Sequence, residues 1–564
     1  MRKYRQISGG LGLEVTRSLK RFLSSLSLIG SVFGLLCFAA SLTPSLLPRP
    51  FAVQGVLSGV VFILGYGVGW VLGGIWAYLE LPLFSRRIAT WVATVPLLVS
   101  ATLAAFTLGR VTDWQNAIRS LMDMEPVTSV HPFRIVIVAI LTSLVLLLVS
   151  RILIWLGQRV LAAATRVLPR RIAALIAVIL IVSATVSLVN KVVLGHALQA
   201  VDAVFAELND LIEPDLPQPQ KPEVSGSDAS LLNWRKIGRR GREFVVTGPT
   251  AEEITALTGR PAKTPLRVYA GFEKEEQLDV QADLALEELI RLRAFDRAVL
   301  IVATPTGTGW LDPAGVDTIE VLHGGDTAIV ALQYSYLPSW TTLMIDPDRS
   351  RVAARALFVP IYRYWHSLPK ESRPKLYLFG LSLGALGSEH SANLVELLND
   401  PVDGALWSGP PFLSTLWRQI MMSPELEGPA WLPRLPDNRL VRFAGPEGIG
   451  TPSREGWGNV RILYIQHASD PMSFFSPDLL WTRPRWLEDR GPDVSPAMQW
   501  NPLVFFFQVG FDVFLSTSVP IGYGHNFAPG VYIDGWLAIT DPPGWPPDQV
   551  TRLKQHFLEQ LSSD

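Results

Sequence analysis

The first third of the chain is a succession of long apolar runs, and the remainder alternates short apolar strands with amphipathic helices. Five runs precede residue 200, at 23–42, 52–79, 88–108, 135–150 and 172–188. A spanning helix needs about 20 residues, a length the fourth run reaches only if it continues through Arg151 to Leu156. The first run is long, lacks an evident cleavage site and is followed by more spans, so it reads as a retained helix rather than a signal peptide. Residues 191–212 have amphipathic helical spacing, and 213–230 are rich in Pro, Ser and Gly, a linker signature. The expected organisation is a membrane domain at 1–212, a linker at 213–230 and a soluble domain at 231–564. The last is roughly 330 residues, enough to bury a large core.

Within the soluble part, short, largely apolar segments at 266–270, 298–303, 328–332, 376–379, 405–407 and 461–466 read as buried strands. Helical spacing at 279–294 and 353–365 separates some of them. Strands apolar on both faces and joined through helices indicate a mainly parallel sheet covered on both sides.

Charge placement orients the membrane part. Arg2, Lys3, Arg5, Arg17, Lys20 and Arg21 precede the first run, Arg86 and Arg87 follow the second, and Arg159, Arg166, Arg170 and Arg171 follow the fourth. The segment between the first and second runs carries only Arg49. The positive-inside rule puts the N-terminus in the cytoplasm, and five spans then put the soluble domain outside it. The runs themselves contain no Asp, Glu, Lys, Arg or His, which favours an anchor over an ion or substrate pathway. Gly65, Gly69 and Gly73 make two GxxxG steps on the second run, a stripe suited to close helix packing within the chain or in a homo-oligomer.

Composition narrows the chemistry. The chain is 49% hydrophobic with net charge −1, so no electrostatic case for nucleic acid exists. Its one cysteine, Cys37, excludes a disulfide framework and a CxxC metal or redox motif. No metal or organic cofactor is implied.

Directly after the apolar run Leu376-Tyr377-Leu378-Phe379 comes Gly380-Leu381-Ser382-Leu383-Gly384, a G-x-S-x-G pattern with no second match. Between a strand and a helix this pattern makes a nucleophile elbow, as in α/β-hydrolases. A serine hydroxyl needs a base to take its proton and an acid to orient that base, in the chain order Ser, acid, His. Asp470, in the turn after the 461–466 strand, fits the acid, and Asp403 is the substitute. His525, in Gly522-Tyr523-Gly524-His525-Asn526, fits the base; His556 lies in a terminal helical stretch, and His467 and His390 read as structural. The oxyanion needs two backbone donors, one from Leu383 and one from Thr306, Gly307 or Thr308 in Thr304-Pro305-Thr306-Gly307-Thr308-Gly309-Trp310. That loop lacks G-K-[ST] and so is no P-loop. Between Asp470 and His525 lies an aromatic insertion including Phe474, Trp486, Phe505 and Phe511, read equally as a lid or acyl-binding wall and as core. Tyr334, Tyr336 and Phe505 are candidate pocket residues.

The chain resembles the bacterial membrane-anchored proteins called alpha/beta-hydrolase family 9, with their multi-span N-terminal domain. The resemblance is carried by Trp234-Arg235-Lys236-Ile237-Gly238-Arg239-Arg240-Gly241-Arg242-Glu243-Phe244, by the 304–310 loop, by Gln333-Tyr334-Ser335-Tyr336-Leu337-Pro338-Ser339-Trp340, by the elbow, and by Gly404-Ala405-Leu406-Trp407-Ser408-Gly409-Pro410-Pro411. Relatives often carry an acidic residue where this chain has Leu381. The resemblance implies serine-hydrolase machinery in the bacterial inner membrane and no particular substrate. The expected fold is therefore an α-helical transmembrane bundle of about five spans followed by an α/β-hydrolase domain. The expected activity is an esterase or lipase acting on a lipid or envelope ester. An acyltransferase using the same triad, or a scaffold with an inert domain, is the alternative.

Overall fold

A computed structural model of the chain describes residues 26–81, 85–188, 195–273, 277–391, 400–437, 439–450 and 456–563. The basic N-terminal residues that set the expected orientation, and the start of the first apolar run, lie outside them. The chain divides into two compact units. One holds the described residues as far as Thr185 with Pro477–Arg483 and Ser495–Asp512; the other holds the described residues of Val186–Ser476, Pro484–Val494 and Val513–Asp564.

The first unit is helical: α1 (Leu28–Ser41), α2 (Phe51–Tyr78), α3 (Arg86–Leu121), α4 (Pro132–Ala164) and α5 (Arg170–Leu188), the last as far as Thr185. Among the described residues, α2, α3 from Thr94, α4, and α5 as far as Ser187 are long and apolar enough to cross a membrane; α1 is shorter. The fourth apolar run does continue, as one helix through Arg151. Glycines set how closely α1 and α2 pack. A Cβ on Gly69 would lie 2.6 Å from the Ile29 carbonyl oxygen, and one on Gly65 2.7 Å from Cys37 Sγ. The GxxxG stripe is thus occupied within the chain at these two positions.

Where α1 turns into α2, the fully buried Arg49 Nε lies 2.8 Å from Asp512 Oδ1. Arg49 also donates from Nη1 to Gln54 Oε1 (3.2 Å), from Nη2 to the Gln508 carbonyl (2.8 Å) and from its N–H to Gln115 Oε1 (2.8 Å). The second Asp512 oxygen accepts from the Leu46 N–H at 3.1 Å and from Ser45 Oγ. Gln508 Nε2 donates to the Thr43 carbonyl at 3.0 Å. Beside this network Val504 packs on Leu57 and Val61, with Phe507 and Phe511 against them. The aromatic insertion is therefore divided: Phe505 and Phe511 belong to the helical unit, while Phe474 and Trp486 pack on each other, 5.7 Å between ring centroids, in the other.

The second unit is built on an eight-stranded sheet: β1 (Leu266–Ala270), β2 (Val299–Thr304), β3 (Thr327–Leu332), β4 (Lys375–Leu381), β5 (Gly404–Ser408), β6 (Val441–Gly445), β7 (Gly448–Ile449) and β8 (Arg461–Ile465). Their order is β1-β3-β2-β4-β5-β8-β6-β7, all pairs parallel except β6 with β7. Leu278–Arg291, Asp348–Ser367 and Leu383–Ser391 form one helical layer, and Pro313–Leu322 with Pro529–Thr540 the other. The six expected strands are present; β6 and the two-residue β7 are additional to them. Register aligns Thr304 with Gly380, Leu381 with Ser408, and Ser408 with Ile465. The loops after β2, β4, β5 and β8 therefore leave from one edge. The chain goes from β2 outward to β3 and returns to β4 on the other side of β2, a topological switch point where open α/β sheets bind ligands.

Asp512→Ala should destabilise the protein by about 3–5 kcal/mol, because it leaves Arg49 buried without its counter-charge. The paired replacement of Arg49 by Met and Asp512 by Leu should recover most of the loss. Thermal unfolding of the full chain in detergent checks both; equal losses in the single and paired variants would contradict this account.

Candidate active site

Ser382 is the lone residue between β4 and the helix Leu383–Ser391. Its φ is +59°, a left-handed conformation rare for a side-chain-bearing residue. The glycines on either side explain why strand and helix can meet so tightly. A Cβ on Gly380 would lie 2.3 Å from the Gly384 carbonyl oxygen, and one on Gly384 2.1 Å from the Thr304 carbonyl oxygen at the end of β2. The Ser382 N–H is tied to the Ser408 carbonyl at 2.9 Å, so β5 also holds the turn. Ser382 is buried, and its Oγ has no hydrogen-bond partner.

Asp470 follows β8 and caps the short helix Pro471–Phe474, Oδ1 accepting from the Met472 N–H at 2.8 Å. Its Oδ2 lies 2.7 Å from Nδ1 of His525. With that hydrogen on Nδ1, neutral His525 presents Nε2 as an acceptor, and this atom is buried without a partner. Gly409, after β5, makes room for the ring: at φ +51° it sits where a Cβ would be 2.4 Å from His525 Cε1. Sequence reasoning assigned Gly409 no role, although it stands in the Ser408-Gly409-Pro410 turn after a strand.

Ser382 and His525 line one cavity of about 650 Å³ in this unit, with no hydrogen bond between the serine hydroxyl and the imidazole. Thr306, Thr308, Trp310, Trp340, Met472 and Phe514 form other parts of its wall. Leu383 is the first residue of its helix, so its N–H has no intrahelical acceptor. In the facing loop the Thr306 N–H donates to the Trp310 carbonyl (2.9 Å) and the Gly307 N–H to Ser339 Oγ (3.2 Å). The Thr306 and Thr308 hydroxyls are 3.2 Å apart.

Other candidates sit elsewhere. Tyr334 is buried with its hydroxyl on the Pro305 carbonyl (3.1 Å), and the Tyr336 ring meets Phe272 edge-on. Neither they nor Phe505, in the helical unit, are among the residues lining this cavity. Asp403 precedes β5 at the opposite sheet edge, bound to Lys375 Nζ (2.7 Å) and the Leu376 N–H (2.8 Å). His556 stacks edge-on against Phe557 in the terminal helix.

With this geometry in place, the comparison with known families is decisive. The model of the alpha/beta-hydrolase family matches residues 266–553, and that of the same family's N-terminus matches residues 42–249. The chain belongs to the alpha/beta-hydrolase family. Curated proteins and solved structures gave no match. The family model covers the elbow, the 304–310 loop, Asp470 and His525, so this hydrolase domain contains the whole candidate site.

The cavity wall also holds Asp312, which caps the helix Pro313–Leu322 through the Ala314 N–H (3.0 Å) and accepts from the Tyr532 hydroxyl. Burial pushes its carboxyl up to about 7 from an ordinary value of 3.8. An acid raised on folding stabilises the fold fully below its unfolded pKa and loses that contribution as pH rises through the folded one. Thermal unfolding from about pH 4 to about pH 7 should therefore cost the wild type more than Asp312→Asn, which keeps an N-capping side chain, and the difference should level off above about pH 7. A difference independent of pH would sink this reading. Gly409→Ala should leave the sheet intact but displace the His525 ring, lowering activated-serine reactivity about 100-fold; wild-type reactivity in that variant would show the close contact to be harmless.

Proposed function

We propose that this member of the alpha/beta-hydrolase family is a membrane-anchored serine hydrolase acting on esters. The observation that carries the reading is Ser382, held at φ +59° with an unpartnered Oγ, in a cavity also lined by a histidine bound to a buried aspartate. Ser382 Oγ attacks the ester carbonyl carbon while His525 Nε2 takes its proton. Asp470 holds the ring tautomer and offsets the charge of the imidazolium. The carbonyl oxygen becomes an oxyanion facing the Leu383 N–H and the Thr306–Thr308 loop, with Thr308 the preferred second donor because the Thr306 and Gly307 N–H groups are engaged. Collapse expels the alcohol, which receives the proton from His525. Water then attacks the acyl-enzyme by the same route, releasing the acid and restoring Ser382. The missing Ser382–His525 hydrogen bond fits a site that tightens on binding substrate.

The substrate class is an ester of a lipid or envelope component. The four long apolar helices support a bilayer anchor, and Trp310, Trp340, Met472 and Phe514 give the cavity apolar wall for an acyl chain. If α1, whose apolar run begins before the described residues, is counted as a fifth span beside these four, the distribution of arginine and lysine supports an inner-membrane protein with its hydrolase domain outside the cytoplasm.

Membranes containing the protein, treated with a fluorophosphonate probe, should show labelling that disappears in Ser382→Ala and falls at least about 100-fold in His525→Ala. Absence of labelling in folded wild type, or labelling that survives Ser382→Ala, would overturn the proposal.

A further inference from the structure

The turn that carries Asp470 holds a second set of buried polar groups, which with Asp493 behind them converge on one residue, Gly524. His467, Ser469 and Asp493 are at most 3% exposed. His467 Nδ1 lies 3.0 Å from the Gly524 carbonyl oxygen. The Gly524 N–H donates to Ser469 Oγ at 2.9 Å. Ser469 Oγ in turn donates to Asp493 Oδ2 at 2.5 Å, and the same carboxylate oxygen accepts the Ser469 N–H at 3.0 Å. The donor accounting closes. A carbonyl can only accept, so His467 carries its hydrogen on Nδ1; burial lowers its pKa and favours that neutral form. The serine hydroxyl has a single hydrogen, directed at Asp493, which leaves its lone pairs to the Gly524 N–H.

Gly524 immediately precedes His525. Both polar groups of Gly524 are therefore gripped by residues 467 and 469, from the turn that supplies the acid at 470. On its other side the His525 N–H donates to the Ser516 carbonyl at 2.8 Å, and Asn526 Nδ2 to the Val519 carbonyl at 2.6 Å. Those bonds stay inside the base's own loop, whereas the Gly524 clamp ties that loop to Asp470. The segment bearing Asp493 is itself pressed against this turn: a Cβ on Gly491 would lie 2.2 Å from Ala468 Cβ.

We propose that His467, Ser469 and Asp493 are positioning residues: by clamping the backbone on both sides of Gly524 to the acid's turn they set the separation between Asp470 and His525. The proposal rests on the reading of Ser382, His525 and Asp470 as the reacting set. It extends that set to a residue, Asp493, that lies in the long insertion between acid and base. Satisfying one buried peptide is ordinary in a folded protein. Here the N–H and the carbonyl of the residue before the base, which belong to two successive peptide groups, are both held from the turn of the acid.

The test uses the full-length protein in native membranes, with a soluble chromogenic ester and the fluorophosphonate probe. Ser469→Ala removes the acceptor for the Gly524 N–H, and Ser469→Thr keeps it. Ser469→Ala should lower kcat and the labelling rate per folded molecule about 10- to 100-fold while KM stays within about twofold, and Ser469→Thr should recover most of the loss. Asp493→Asn, which leaves the serine in place but removes the charge on its acceptor, should give a smaller drop of the same kind. It also serves if Ser469→Ala fails to fold. The proposal is overturned if these variants lose thermal stability while labelling per folded molecule stays at the wild-type rate, or if kcat falls equally in the alanine and threonine variants. Wild-type labelling that does not depend on Ser382 would instead overturn the triad reading, and the clamp with it.

Discussion

The site depends on one steric constraint: the end of β4, the helix behind it and the end of β2 approach more closely than any side chain would allow. Gly380 and Gly384 have no Cβ where one would overlap backbone at 2.1–2.3 Å. That approach puts Ser382 into a left-handed conformation, at a backbone cost on the order of 1–3 kcal/mol, and the surrounding sheet must hold it there. It also brings the Thr304–Trp310 loop beside the serine, because the group that Gly384 approaches is the Thr304 carbonyl. Ser382 and the 304–310 loop are thus located by the same contact.

Asp470 and His525 are placed differently. Asp470 and His525 are 55 residues apart, and the chain between them is shared between the two compact units. What unites the two residues is local: a 2.7 Å hydrogen bond, space for the ring at Gly409, and the grip of His467 and Ser469 on Gly524. Each is a buried polar or steric contact, with little tolerance for rearrangement once water is excluded.

In the helical unit, a charge in the chain between α1 and α2 would be costly to bury alone. Arg49 is accommodated by Asp512, by two glutamine side chains and by a backbone carbonyl, all buried. The insertion that supplies Asp512 and Gln508 also contributes apolar residues to that unit's core. Its apolar character is therefore divided: Val504, Phe507 and Phe511 serve packing there, while Met472 and Phe514 line the cavity of the other unit.

Local pattern determined much of this protein. The lengths of the apolar runs, the short and largely apolar strands, and a G-x-S-x-G directly after one of them are properties of neighbouring residues, governed by burial and backbone sterics over a few positions. They were enough for a series of long apolar helices, a parallel sheet and the strand-to-helix turn at Ser382. Chain order and turn composition narrowed the candidate acid and base to Asp470 and His525, with Asp403 open. Only the sheet register separated these two acids, since it puts Asp403 at the edge opposite the elbow. Tertiary structure alone decided the remainder. The GxxxG stripe finds α1 within the chain, and Arg49 meets a partner 463 residues away. Trp340, Met472 and Phe514, rather than Tyr334, Tyr336 or Phe505, wall the cavity. Each of these outcomes depends on which distant surfaces are pressed together, and hydrogen-bond reach and Cβ clearance act over ångströms whatever the separation along the chain.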